Sequence, residues 1–314
     1  MGSVRHDPIY IILVLFVLAL FCFSQLINSL AAIGEVEGIP WFTQTTAAVS
    51  DKFYTKITPS GLTFIIWFVI YVWQLAWIVF AHVIICLKSD DGSPLYVDPP
   101  IISPLFLSVY ALNLCLNITW LFLWDREELI WAMVVIVTIP LTLFFCIFHN
   151  CWMVSKYRTQ LDRHARKYLI FNRLLVLNGL GVYATWTTVA SHINLSIVLV
   201  YFQGMSQDTA CTICLCVLAF IAICYFLLEV TTLEKHLRYL FTPWPVVMWA
   251  LCGSLAENWD NGDRNGIIST VIVCLAFVFL VFKIGLTVTR ARQHSRNAYL
   301  ADEGVDNLAM TGKV

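Results

Sequence analysis

Charge is the commodity this sequence has least of. Asp, Glu, Lys and Arg together make up 12% of its 314 residues, and the signs nearly cancel at a net charge of −1. Soluble domains carry about 25% charged residues. No basic surface is extensive enough to neutralise a run of phosphates, which excludes nucleic acid as a partner. The 11 cysteines lie in apolar runs and read as small hydrophobes. Cys211, Cys214 and Cys216 crowd one helix end, but no His cluster completes a metal-ligand spacing. Nucleophile–base pairs, nucleotide-binding loops and internal repeats are missing as well. The sequence therefore offers little ground for an enzyme, and no required cofactor is expected.

What remains is oil. Hydrophobic residues make up 60% of the chain, and its mean hydropathy is +0.78. A membrane-crossing helix needs about 20 mainly apolar residues. Eight candidates meet or approach that length: 9–32, 61–87, 101–124, 129–154, 176–202, 210–232, 243–258 and 266–289. The seventh is short and opens on Thr-Pro-Trp-Pro. The fold class is thus all-α, a polytopic membrane helical bundle embedded in lipid. The first apolar run is longer than a signal-peptide core and lacks a small-residue cleavage site, so it reads as a retained span. His6 stands where a myristoylation signal wants Ser or Thr.

Eight spans put both termini on one side. With that side cytoplasmic, 14 Lys and Arg fall inside and four outside (Lys52, Lys56, Arg126 and Arg264). Lys283 lies within the last span, placed to snorkel. This asymmetry sets orientation, and both termini are expected to be cytoplasmic. The inner segment Ser155–Lys167 is basic and interfacial, read as a topology signal. The long outer loop before residue 57 and the acidic one near Asp260 point to the plasma membrane or endomembranes rather than the mitochondrial outer membrane. Residues 290–314 are polar without an apolar period and read as a disordered cytoplasmic tail. Two sequons, at Asn117 and Asn194, fall inside spans and should stay unmodified.

Polar groups inside a bilayer are costly unless partnered, so their positions carry meaning. In the second span Phe64, Trp67, Tyr71 and Gln74 recur at spacings of three and four and share one helix face. In the third, Asn113, Asn117 and Trp120 align. In the fifth, Tyr183, Trp186, Ala190 and Asn194 line one face, with Thr187 and His192 beside it. Interhelical hydrogen bonds would account for any one Asn at about 0.6–2 kcal/mol. Three helices that each present Trp with a polar partner point instead to a shared cavity. Trp41, Trp124, Trp152, Trp244 and Trp259 fall near span ends, where aromatic belts are expected. Trp73 is expected on another side of its helix, toward lipid or the later spans. Glu229, near the inner end of the sixth span, is expected to be paired or to snorkel.

These stretches resemble the TspO/translocator-protein family, also called tryptophan-rich sensory proteins or peripheral benzodiazepine receptors. The second-helix pattern is matched by Phe64, Trp67 and Tyr71, with Ile65 in place of the family proline. Leu116, Asn117 and Trp120 match the third-helix pattern, and Trp186, Ala190 and Asn194 the fifth. The Ser50–Trp67 region and Asn28 are similar to the longer, eight-span branch. The specific motifs cover residues 9–202; the spans within 203–289 match in layout and apolarity. The resemblance implies residues 1–8 as a cytoplasmic N-terminus, a TspO-like five-helix core over 9–202 and three additional transmembrane helices over 203–289.

It also implies an intramembrane pocket for porphyrins, haem-like molecules or sterols. Its ligand-binding residues would be Phe64, Trp67, Tyr71, Gln74, Asn117, Trp120, Trp186, Ala190 and Asn194. A flat apolar ligand is well held by aromatic faces with a few polar groups to orient it. The expected function is a binding or carrier protein for a tetrapyrrole or sterol. The alternatives are a membrane receptor or transporter for another small molecule, or a porphyrin-degrading enzyme. A homodimer is left open.

Overall fold

The computed structural model of the protein describes residues 6–89, 92, 94–260 and 262–311, with side chains through Gln293. Expectations for residues 1–5 and 312–314 lie outside the described residues. Among the described residues regular structure is helical, with two isolated bridges at Val36–Ile39 and Lys88–Pro94. The helices are α1 (Pro8–Ile33), α2 (Thr46–Lys52), α3 (Ile66–Cys86), α4 (Pro104–Asp125), α5 (Leu129–Lys156) and α6 (Arg158–His164). Then follow α7 (Arg166–Phe171), α8 (Asn178–Tyr201), α9 (Gln207–Val230), α10 (Glu234–Leu237), α11 (Pro243–Asn258) and α12 (Arg264–Thr311).

Local chemistry sets the helix starts. Asp7 accepts the Ile9 N–H at 2.9 Å and Ser103 that of Phe106 at 3.2 Å, each followed by a proline whose missing N–H needs no partner there. A 3₁₀ turn, Gly61–Ile65, leads into α3. A π turn, Asn172–Leu177, joins α7 to α8. Pro140 lies inside α5 and cannot donate to the carbonyl four residues back, that of Ile136. The Ser191 hydroxyl of α8 donates to that freed carbonyl at 3.1 Å, so the helix defect becomes a helix–helix tie.

Helices α3, α1, α4, α5 and α8 contact one another in that order and close into a ring. Helices α9, α11 and α12 pack mutually and lie on the outer side of α8. That makes α8 a shared wall, with 78% of its apolar window buried against 22% for α9 and α12. Wall helices leave one side for lipid, which is why Leu62, Phe68, Phe148 and Phe220 are exposed.

Among the described residues, seven helices are long and apolar enough to cross a membrane. The chain is an integral, multi-pass membrane protein. The expected seventh span, α11, has only 16 residues, about 24 Å of helix. Its ends nevertheless reach both ends of the bundle. Gly253 and Asn258 bond Ser60 and Thr58 at one end. At the other, Phe241 and Thr242, just before α11, bond Asn178. Asp7 meets Tyr96 of the α3–α4 loop, and Arg290 pairs with Glu234, at the end that also holds α6 and α10. The opposite end is closed by the long first loop. Asp125 accepts the Thr43 and Gln44 N–H groups at 2.9 and 3.1 Å, and Lys52 pairs with Glu127 at 2.6 Å.

Helix α12 continues through Thr311; Ala, Leu, Arg and Gln after Arg290 are good helix formers. One expectation changes here. Lys283 does not snorkel: it is 3% exposed and pairs with the equally buried Glu229.

Candidate functional site

The interior of the five-helix ring is where the aromatic and polar faces meet. Phe64 and Trp67 each stand edge-on to Trp186, with ring centres 5.9 and 6.1 Å apart. Trp67 also stacks on Tyr71 at 5.6 Å and meets Tyr183 edge-on at 6.1 Å. Edge-to-face contacts suit the ring quadrupoles and add about 0.5–1.5 kcal/mol per pair beyond burial. Trp186 is 1% exposed, and its Nε1–H has no hydrogen-bond partner among the described residues. A buried donor left this way costs about 1–3 kcal/mol. Phe64, Trp67 and Tyr71 are only half-buried, so α3 offers the accessible edge of the cluster.

A neutral hydrogen-bond chain runs beside the rings. The Tyr71 hydroxyl donates to Asn28 Oδ1 at 2.6 Å, Asn28 Nδ2 to Asn117 Oδ1 at 3.0 Å, and Ser24 to the same oxygen at 3.4 Å. It links α3, α1 and α4. Trp120 Nε1 makes a long bond to Asn194 Oδ1 at 3.4 Å, and Asn194 Nδ2 turns back to the Ala190 carbonyl at 3.0 Å. Asn113 faces away from this chain: its amide donates to the Ile139 carbonyl and to Thr142 on α5.

Gln74 is engaged otherwise. Its Nε2 donates to the Gly179 carbonyl at 2.9 Å, and its Oε1 accepts from Trp77 at 2.7 Å and Tyr110 at 3.3 Å. It ties α3 to α8 one turn beyond the ring cluster. Of the nine candidates, Phe64, Trp67, Tyr71 and Trp186 form one ring cluster, with Asn117 joined to it through Asn28. Trp120, Ala190 and Asn194 form an adjoining set, and Gln74 belongs to a separate helix tie. Sequence reasoning passed over Ser24, Tyr110 and Trp77. Trp77 is 0% exposed and sits at i+3 from Gln74, a spacing that could have revealed it.

Trp73, expected toward lipid or the later spans, is half-buried: its Nε1 donates to the Leu174 carbonyl and its ring lies against α8. A Cβ on Gly179 would come within 2.7 Å of that ring, so only glycine allows the approach. Trp124 is buried and donates to the Thr46 carbonyl under the folded first loop. Trp244 is 1% exposed and donates to Glu229 Oε2 at 2.9 Å, so a charge inside the bundle draws it away from the interface.

Two cavities lie elsewhere. One, of 860 Å³, opens at the basic end among α5, α6, the π turn and α10. The other, of 240 Å³, follows the seam between α5 and α8 on one side and α9 and α11 on the other. Neither is lined by any of the nine candidates.

No curated protein and no solved structure matches the chain. The family model described as TSPO-like protein matches residues 9–284, which takes in α9, α11 and most of the apolar part of α12 as well as the five-helix ring. This chain belongs to the TSPO-like protein family.

Proposed function

We propose that this membrane protein binds or carries a flat apolar molecule of the tetrapyrrole or sterol class between the rings of Phe64, Trp67, Tyr71 and Trp186. The observation that carries this reading is the Trp186 indole, whose buried Nε1–H has no partner among the described residues and lies at the centre of an aromatic cluster inside a closed helix ring. A carbonyl or carboxylate on the ligand would accept that donor while its flat face lies on Trp67. Asn28, Asn117 and Tyr71 are spent on one another, so they would shape the seat and leave recognition to the rings. The basic end of the bundle, with Asp7 and Arg290, is the cytoplasmic end in this reading, and the membrane is the plasma membrane or an endomembrane.

Titration of the detergent-purified protein with protoporphyrin IX should quench tryptophan fluorescence. Trp67→Ala should weaken binding by about 1–3 kcal/mol, the scale of one large apolar side chain. Trp73→Ala should lower thermal stability while affinity holds, since Trp73 packs on Gly179. Equal losses of affinity from the two variants would place the ligand elsewhere. If neither protoporphyrin IX nor cholesterol binds, the proposed function fails.

The buried Glu229–Lys283 pair favours a second reading, a coupled transporter, because paired ionisable groups within spans mark ion pathways. Substrate flux into liposomes that Glu229→Gln leaves unchanged would rule it out.

A further inference from the structure

The 860 Å³ cavity at the basic end carries five cations, Arg158, Arg166, Arg173, Lys235 and Arg238, against one carboxylate, Asp162. Asp162 pairs with Arg158 at 2.6 Å, and Glu234, outside the lining, pairs with Arg238 at 2.7 Å. Arg166, Arg173 and Lys235 have no carboxylate within ion-pair distance among the described residues. Arg173 is half-buried, with its guanidinium over the face of Tyr239 at 3.8 Å. The ring holds the guanidinium in place without neutralising it. An excess of cations converging on one concavity selects a compact anion with several acceptor oxygens.

The cavity does not stop at its charged rim. Cys151 and His236 line both it and the 240 Å³ seam cavity, so the two adjoin. The seam has almost no polar surface. From Gly181 to Val189 it follows α8 for roughly 12 Å toward the middle of the bundle. Phe144 and Phe148 of α5 and Ile221 of α9 flank it and are exposed on the lipid-facing side. A charged chamber at the membrane boundary thus lies next to an apolar slot that is open sideways to the bilayer.

We propose that this composite cleft seats an anionic glycerophospholipid, with its phosphate among Arg158, Arg166, Arg173 and Lys235 and one acyl chain in the seam. The phosphate chemistry alone would suit a free phosphate too. The apolar slot is what favours the lipid. Basic pockets between membrane helices on this side of a bilayer recognise such headgroups. The seat is separate from the aromatic cluster and stands whether or not that cluster binds a ligand. An occupant would bridge the five-helix ring and the α9–α11–α12 layer, bonding the two units of the fold at their seam.

The test is native mass spectrometry on the full-length protein in detergent, titrated with phosphatidylglycerol and with phosphatidylcholine of the same acyl chains. Inorganic phosphate serves as competitor. Phosphatidylglycerol should bind at least about tenfold more tightly than phosphatidylcholine, and millimolar phosphate should not displace it. Arg173→Gln combined with Lys235→Gln should weaken phosphatidylglycerol about 10- to 30-fold, on the scale of surface-potential attraction per cation, and weaken phosphatidylcholine, whose choline cation offsets its phosphate, far less. Ala222→Phe, which fills the seam, should weaken both lipids. Equal affinity of the two lipids for the wild-type protein would overturn the proposal, and so would displacement of phosphatidylglycerol by phosphate. Neither of those readouts depends on a variant folding.

Discussion

The five-helix ring and the α9–α11–α12 layer bury polar groups in the same bilayer by different chemistry. The ring uses neutral groups in chains: Tyr71 to Asn28 to Asn117, and Trp120 to Asn194. The layer uses a charge pair. Glu229 of α9 meets Lys283 of α12, with Tyr225 and Trp244 donating to the carboxylate and the Leu240 carbonyl accepting from the ammonium. A neutral amide that loses one partner often finds another nearby, whereas a lone charge in a dry interior does not. The ring should therefore tolerate single losses, and the layer should not.

The sharpest way to break that contrast is Glu229→Gln. It leaves the Lys283 ammonium buried without its counter-ion, which should cost about 3–5 kcal/mol. Lys283→Met added to it should recover most of the loss, because no charge then remains to be solvated. Thermal unfolding in detergent, followed by tryptophan fluorescence, reads both. A single variant as stable as the wild type would mean that the pair does not hold the layer.

Next comes the contact between α3 and α8. Gly179→Ala forces the Trp73 ring off α8 and should destabilise the ring by about 1–3 kcal/mol, the usual penalty of overpacking. Gly179→Ala in a Trp73→Ala background should be milder than the sum of the two. Simple additivity would show that the close approach is not the cause.

Smaller still are the neutral ties. Asn117→Ala should lower stability by about 1 kcal/mol. Tyr71→Phe added to it should cost little more, since both act through Asn28. Asn194→Ala should do less, because its bond to Trp120 is long at 3.4 Å. A loss from Asn117→Ala as large as that from Glu229→Gln would erase the distinction between the two regions.

The weakest effect lies outside the membrane, at the folded first loop. Hydrogen bonds from Lys52 and then Gln44 hold the Glu127 carboxyl below its usual range. A carboxyl lowered by folding stabilises the fold above its unfolded pKa, and that contribution is lost as pH falls through the lowered folded value. The loop clamp should hold above the range near 4 where free carboxyls titrate and release as the pH falls through the lowered folded value. Pepsin cleavage between Thr43 and Lys56 should therefore rise over that fall in pH more steeply than for a soluble reference peptide. Lys52→Gln should flatten the rise.

Much of this protein could be read from the chain alone. Long apolar runs in water have one outcome, burial in lipid as helices, because only internal hydrogen bonding satisfies the backbone there. The faces bearing Phe64, Trp67 and Tyr71, and Trp186 and Asn194, follow from the helical period, and their mutual approach follows from the order of the spans. The partners did not follow. That Gln74 serves the Gly179 carbonyl, that Trp73 lies on α8 and that Asn113 turns to α5 depends on how each helix is rotated against its neighbours. An apolar helix with lipid on one side and protein on the other has no strong amphipathic stripe to declare that rotation. Lys283 shows the same limit: 54 residues separate it from Glu229, and a charge read one residue at a time can only be assigned to the nearest interface. Only the packing of α9, α11 and α12 brings the two charges together, because desolvating either one alone would cost more than any local arrangement could offset.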